Sequence, residues 1–410
     1  MSAPAKKARR GYKLTPCGEI PQDWECVTLG SIFAERIETG FTDLPLLAVT
    51  GERGIVLRDS LERRDSSSED KSAYLRVCPG DIAYNTMRMW QGVSGLSPYE
   101  GIVSPAYTVC RPLKGLVPEF APYLLKHPAN IRLFHRHSQG LVDDTLNLKF
   151  PHFAQIYVSV PTLKEQKKVA ELLKDADRAI SLSENLTDQM SAVRDKAIQA
   201  RIQVLGVRDH VMGEILVSID AGKSPLCEDR PACGGEVGVL KVGAVSPAGF
   251  LPNENKVVRD ESVFRPEMEV RLQDLLLTRA NGSPELIGMS CIVDRLPGRL
   301  YLSDKTFRLR VDEKRIDKAF LNIALKSPPV RAQIEGTSTG GSGSMANLSQ
   351  NAIRALKIPI PPLARQREIV ELDRNLAGSI DAEERKLAAL ERVKGELARR
   401  LLTGELRIKS

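Results

Sequence analysis

The chain has 410 residues, enough for two or three domains, and its 42% hydrophobic and 27% charged residues are ordinary globular usage, which excludes a single small module and a disordered chain. Lysine and arginine number 59 against 52 acidic residues, and the formal charge of +7 mildly favours polyanionic partners. No run of 18 apolar residues occurs and the basic start MSAPAKKARRGYKL has no apolar stretch, so secretion and membrane spanning lack support and a cytoplasmic protein is expected.

In chain order, residues 1–11 read as a basic tail and residues 12–160 as a strand-rich globule. Its runs LPLLAVT, DIAYNTM and AYTVCRP are bounded by turn formers, and a helical stretch VPEFAPYLLKHPANIRLFHRHS breaks at Pro128. Residues 161–205 predict one long helix, with a seam of Val169, Leu172, Ala176, Ala179, Leu186, Met190, Val193, Ala197 and Val204 in steps of three and four, interrupted by Ser183. Residues 206–360 form a second globule, with strands at EVGVLKVGAV, DLLLTRA, MSCIVDRL and TFRLRVD. A helix over DKAFLNIALKSPPVRAQIE breaks at Pro328 and Pro329, and a Gly/Ser-rich loop starts at Gly336. Residues 361–410 repeat the long helix, with Ile369, Leu372, Leu376, Ile380, Leu387, Leu390, Val393, Leu397 and Leu401 in the seam and Glu383 in the place of Ser183.

The two halves are copies. VPTLKEQKKVAELL begins at Val160 and IPPLARQREIVELD at Ile360, and the offset of 200 also pairs Phe120 with Phe320, Lys126 with Lys326 and Asn147-Leu148 with Asn347-Leu348. Upstream the offset drifts to 193, where Leu47, Val49 and Asp81-Ile82 match Leu240, Val242 and Asp274-Leu275. The expected fold is therefore an α/β or α+β globule present twice, separated by an antiparallel two-helix coiled coil. Each helix of some 40 residues is a rod of about 60 Å, which would set the separation of the two globules.

Chemistry is sought and not found. The seven cysteines contain no C-x-x-C pair, so reduced, buried thiols are expected, and His135 and His137 have no neighbouring cluster to complete a metal site. Gly222-Lys223-Ser224 is no phosphate loop, because Val217 stands where that loop needs glycine. Ser327-Pro328-Pro329 is followed by Val330 and Ser104-Pro105 by Ala106, so neither is an amino-methyltransferase loop. A nuclease set drawn from Asp59, Glu69 and Lys71 has only the spacing that a charge-rich chain produces. No catalytic residue, metal or cofactor is assigned to this chain, which reads as a binder.

Two globules, each followed by a P-x-L-x-x-Q element (Pro161, Leu163, Gln166; Pro361, Leu363, Gln366) and a long helix, resemble the specificity subunit of type I restriction-modification systems. The opening Gly18, Ile20, Pro21, Trp24, Leu29 and Gly30 is similar to that family's lead-in, and LLTGELRIKS to its ending; copy two departs from the Glu165-Gln166 pair with Arg365-Gln366. The resemblance implies one target recognition domain per half, reading a split, asymmetric site in double-stranded DNA, with the helices as a ruler. It further implies that two methylation subunits and restriction subunits dock on the helices. S-adenosylmethionine, ATP and magnesium would then belong to those partners.

Candidate DNA contacts are Arg88 and Arg279, which follow equivalent strands, with Asn281, Arg136, Lys223 and Lys305; Gln91, Arg63, Arg64, Arg132 and Lys241 are secondary candidates. Trp24 and Trp90 are read as core residues rather than base stackers. Gln166, Leu173, Ile202, Gln366 and Val370 are the expected partner-docking positions, and Leu182 and Ile198 also lie off the seam. The competing readings are a standalone bipartite DNA-binding protein and a coiled-coil scaffold for proteins.

Overall fold

The computed structural model describes residues 8–61, 70–203, 209–337 and 346–408. Most of the expected basic tail, Arg63, Arg64, Glu69, Val204 and residues 338–345 of the Gly/Ser stretch lie outside them. Gly336 and Thr337 are the end of a helix rather than the start of the loop. The chain divides into two compact units, one built from residues 1–185 and 384–410, the other from residues 186–383. These cut across the linear segments, because each unit takes half of each long helix.

Unit one centres on an antiparallel sheet of β1 (Phe33–Arg36), β2 (Ile82–Asn85), β3 (Ser94–Leu96) and β4 (Tyr107–Pro112), in the order β1-β4-β2-β3. The alternation of a pleated strand splits β2 between two cores. Ile82 and Tyr84 face α1 (Ala121–Lys126), α2 (Pro128–His137) and the first turns of α3 (Leu163–Gln203), whereas Ala83 faces the hairpins carrying Leu47, Ile55, Val77 and Val103. Both faces are covered, which is why Ile82, Ala83 and Tyr84 follow one another without a polar residue between them. The helix-side core holds Phe33, Phe120, Phe134 and Phe153, each worth roughly 1.5–3 kcal/mol of burial.

Unit two repeats the plan with β5 (Leu216–Ala221), β6 (Leu275–Thr278), β7 (Ser290–Ile292) and β8 (Thr306–Val311), in the order β5-β8-β6-β7. Its helices are α4 (Lys318–Lys326), α5 (Pro328–Thr337) and α6 (Leu363–Leu402). Leu275, Leu277 and Phe307 face the helices, and Leu276 faces the layer carrying Leu240 and Phe250. The repeat extends to single rungs, since the parallel bridge Leu46 to Ile102 recurs as Val239 to Tyr301.

Within each unit the helix segments run antiparallel. In unit one, Glu165 holds Arg407, and farther along α3 Asp177 pairs with Lys394. In unit two, Arg194 pairs with Asp373 at 2.7 Å, while Ile198 and Ile202 share a core with Ile369 and Leu372. The seam on α6 is as expected except at Val393, which is 62% exposed. On α3 the match is partial: Val169 and Ser183 of the expected seam are buried and Ala176, Met190 and Ala197 half-buried, whereas Leu172, Ala179, Leu186 and Val193 are exposed and Leu173 and Ile198, one residue along, are buried. Steps of seven from Leu173 lead through Ile180 to polar Thr187 and Arg194, all half-buried, so an apolar count passes over this stripe.

One expectation about cysteine is overturned. Cys17, in the turn between strands Tyr12–Thr15 and Gly18–Pro21, is disulfide-bonded to Cys26, with Cα atoms 6.2 Å apart. Cys110 and Cys291 are buried thiols, but Cys233 is exposed.

Candidate nucleic-acid interface

In unit two four chain segments converge at one end of the central sheet. After β5, the backbone N–H of Gly222 donates to Ser303 at 3.2 Å and that of Lys223 to Leu302 at 3.2 Å. A Cβ on Gly222 would sit 1.7 Å from the Leu302 carbonyl oxygen, so the glycine of this Gly-Lys-Ser serves loop packing. Ser224 Oγ donates to Asp304 Oδ1. After β6, Arg279 N–H donates to the Lys305 carbonyl at 2.9 Å and its own carbonyl accepts from Leu348 N–H at 2.8 Å. Lys223, Arg279, Asn281 and Lys305, far apart in sequence, thus share one rim. Lys223 is exposed there, while Arg279 and Lys305 are half-buried.

Arg279 is committed internally. Its Nε donates to Asn347 Oδ1 at 3.2 Å, its Nη1 to the Asp304 carbonyl at 3.2 Å, and its guanidinium lies 5.4 Å from the Phe307 ring centroid. Asn281 Oδ1 accepts from Ser283 N–H at 3.1 Å, closing a turn that leaves Nδ2 uncommitted.

Unit one builds the same rim with Thr86 in the place of Arg279. Thr86 N–H donates to Ala106 at 3.1 Å, and its carbonyl accepts from Leu148 N–H at 2.8 Å. Arg88 and Arg279 do follow equivalent strands, as expected, but Arg88 is the counterpart of Asn281. The Arg88 guanidinium is exposed and makes no hydrogen bond or ion pair among the described residues. Beside it Trp90 is half-buried, with Nε1 donating to the Met87 carbonyl at 2.9 Å and the ring edge-on to His135. Arg136 and Arg132 are exposed on α2, but no contact ties either side chain to this rim. Lys241 is drawn off by Asp229 at 3.4 Å.

The docking assignments fail for most of the chosen positions. Gln166 is buried, its Oε1 accepting from Val117 N–H at 2.8 Å and its Nε2 donating to the carbonyls of Gly115 and Pro161 at 2.9 Å. Gln366 repeats this with Asp317 N–H at 2.7 Å, Arg315 at 3.0 Å and Pro361 at 2.7 Å. Both glutamines staple the start of a long helix to the loop ahead of α1 or α4, with no polar group left for a partner. Leu173 and Ile202 are core residues, and Val370 packs partly against the core of unit two. Leu182, 61% exposed, does offer surface.

The departure at Arg365 has a structural origin. In unit one buried Glu165 accepts from Trp24 Nε1 at 2.9 Å and from Arg407 Nε at 2.8 Å, and Arg407 also pairs with Asp23 at 2.7 Å. These carboxylates hold the Arg407 guanidinium above its ordinary pKa. Gly404, at φ +73°, lies where a Cβ would stand 2.4 Å from Pro21 Cγ, and its carbonyl accepts from Tyr12 Oη at 2.9 Å. Copy two pairs its lead strand, Asp209–Val211, with Lys357–Pro359 but shows no counterpart of Trp24 or Arg407 among the described residues, and Arg365 pairs with Glu368 at the surface. The glutamate belongs to the clasp.

Sequence and structure comparisons agree on one class. Residues 21–192 and 248–392 match the family described as the type I restriction modification DNA specificity domain. The chain is 32% identical over 160 residues to the type I restriction enzyme EcoEI specificity subunit of Escherichia coli, covering 39% of this chain and 27% of that relative. It is 22% identical over 333 residues to the StySPI specificity subunit of Salmonella potsdam, covering 76% and 71%. Its fold resembles a solved chain from work on complex assembly and conformational transition of the type I R-M system, with a TM-score of 0.61 at 16% identity over 94% of this chain and 99% of the other.

Proposed function

The chain belongs to the type I restriction modification DNA specificity family, and from this we propose that each unit reads one half of a bipartite, asymmetric site in double-stranded DNA, as the recognition subunit of a methylating and restricting complex. The observation that carries the reading is the coincidence of the repeat with the rim. Each unit contains a sheet of the same order, with cationic side chains at the same end: Arg88 in one unit, and Lys223, Arg279 and Lys305 in the other. Lysine and arginine at such a rim supply the salt-dependent attraction to phosphates, and residues reaching base edges supply specificity. Arg136 stays a phosphate candidate.

Two methylation subunits and restriction subunits are assigned as partners, and with them S-adenosylmethionine, ATP and magnesium. For docking, the exposed apolar side chains Leu172, Leu182, Leu186 and Val193 of α3 replace the buried positions expected from sequence. Leu172, Leu186 and Val193 fall at multiples of seven, the spacing of a face that receives another helix. We place the protein in the cytoplasm; no described helix is long and apolar enough to cross a membrane.

The test is co-expression with a methylation subunit, followed by mapping of methylated bases. A split motif whose one half changes when residues 206–360 are exchanged is the expected result. Unmethylated DNA, together with binding that does not weaken as salt rises, overturns the proposal in favour of a protein scaffold.

A further inference from the structure

A base reader must stand on the rim, reach solvent and keep hydrogen-bonding groups free of the protein. Arg279 fails the last condition, with Asn347, Asp304 and the Phe307 ring engaging it. Lys305 and Thr86 serve as rungs of the scaffold through their backbones. Exposed Lys223 also stands on the rim of unit two, but the one remaining position that the matching rungs place at the same point of both rims is the third residue past β2 and past β6. That residue is Arg88 in unit one and Asn281 in unit two. Among the described residues the exposed Arg88 guanidinium has no partner, and Asn281 keeps Nδ2 and one lone pair of Oδ1.

An independent feature marks the same place in unit one. Asn347 Oδ1 accepts from Arg279, but its counterpart Asn147 has a buried Oδ1 with no partner, because Thr86 is too short to fill that role. Unit one therefore leaves a polar acceptor open beside the position that unit two closes from within. A buried amide oxygen without a partner costs free energy, so such a gap marks a place where a ligand or a water belongs.

We infer that this paired position is the base-reading slot of both recognition units, and that unit one contacts a guanine through Arg88 while unit two contacts an adenine through Asn281. The inference rests on the DNA-recognition reading above. Its chemistry is that of the major groove, where a guanidinium donates twice to guanine O6 and N7, and a carboxamide donates to adenine N7 while accepting from N6. The two halves of the site then differ because one scaffold position carries two different side chains.

The experiment is selection from a randomised duplex library by the full chain co-purified with its methylation subunit, as wild type, Arg88→Ala, Arg88→Asn and Asn281→Ala. Wild type is expected to select a two-part motif. Arg88→Ala should relax one guanine in one half by roughly 5- to 150-fold and leave the other half intact, and the intact half certifies the fold. Asn281→Ala should do the same to one adenine of the other half, and Arg88→Asn should shift the relaxed guanine toward adenine. A wild-type motif that survives Arg88→Ala unchanged, or that weakens uniformly with a shallower salt dependence, overturns the slot and leaves the DNA reading standing. No motif for wild type overturns both.

Discussion

The two units share a sheet order and place an aspartate at the same point, Asp81 and Asp274, yet they neutralise it from different strands. In unit one the arginine is Arg36 on edge strand β1, 2.7 Å from Asp81, and Val109 faces it on β4. In unit two the pair is exchanged: Asp220 stands on the edge strand, and Arg308 takes the place of Val109 in the interior. Arg308 is 1% exposed, pairs with Asp220 at 2.8 Å and Asp274 at 2.9 Å, and donates to the carbonyls of Glu267 and Glu269. A duplicated scaffold thus preserves the charge balance of a site rather than the residue that supplies it. This comparison gives the largest expected effect. Arg308→Ala removes a fully buried guanidinium that bridges Asp220 and Asp274 and leaves the Glu267 and Glu269 carbonyls without their donor, while Asp220 keeps Arg310 at 2.7 Å and Asp274 keeps the Arg271 N–H at 2.8 Å; it should cost about 3–5 kcal/mol, localised by hydrogen exchange to unit two. Arg36→Ala should cost less, because its side chain is 15% exposed and holds no backbone carbonyl among the described residues, whereas both Asp81 and Asp274 keep an equivalent backbone N–H, from Cys78 or Arg271, at 2.8 Å. Equal losses would mean that the exchange carries no energetic asymmetry.

A second asymmetry lies in the clasp. Glu165→Ala removes the shared acceptor of Trp24 and Arg407, and a loss of about 2–3 kcal/mol is expected by chemical denaturation. Arg365→Ala, at the same repeat position, breaks a surface pair and should change stability by only about 0–0.5 kcal/mol. A matching loss at Arg365 would show that the Glu-to-Arg departure hides an interaction absent from this account.

The glutamines sharpen the comparison from the opposite side, because they are the part of the repeat that did not diverge. Gln166→Ala and Gln366→Ala each leave a backbone N–H and two carbonyls without their partner, so about 1–3 kcal/mol should be lost in either unit, and to a similar extent. Thermal unfolding of the two variants checks this. A loss confined to one would break the equivalence of the two staples.

These sites also mark what could be read from sequence. P-x-L-x-x-Q was legible because its function is local: each glutamine bonds to its own helix start and to a loop some 50 residues away, and both copies needed it unchanged. Pro128 and Pro328 were legible as helix breaks for the same reason. The α3 seam was placed only in part, because the stripe through Leu173 and Ile180 continues in polar Thr187 and Arg194, so burial and hydrophobicity part company there. The rim could not be seen, since Lys223, Arg279 and Lys305 meet only after β5, β6 and β8 assemble. Arg88 and Asn281 are related by the same offset of 193 as Asp81 and Asp274, but the likeness in residue type drew Arg88 to Arg279, and the rungs at Thr86 and Arg279 correct that. Nothing in the spacing of Cys17 and Cys26 separates a disulfide from two thiols, because the turn that joins them is a property of the folded hairpin.

The smallest expected effect alters no stability and compares the units by thiol chemistry. Unit one keeps two free cysteines, half-buried Cys78 and buried Cys110; unit two keeps three, of which Cys233 is exposed. Burial pushes the Cys291 thiol up to about 12, and that of Cys110 also well above its ordinary value. At pH 8 an ordinary exposed thiol is about one quarter thiolate and a thiol of pKa 12 about one part in ten thousand, so labelling of the native protein should reach Cys233 first and leave Cys291 and Cys110 unmodified. Peptide mapping after brief alkylation reads this out. Cys17 and Cys26 should stay unlabelled until a reductant is added, after which both react; labelling of either beforehand would remove the disulfide and return unit one to the all-thiol state expected from its sequence.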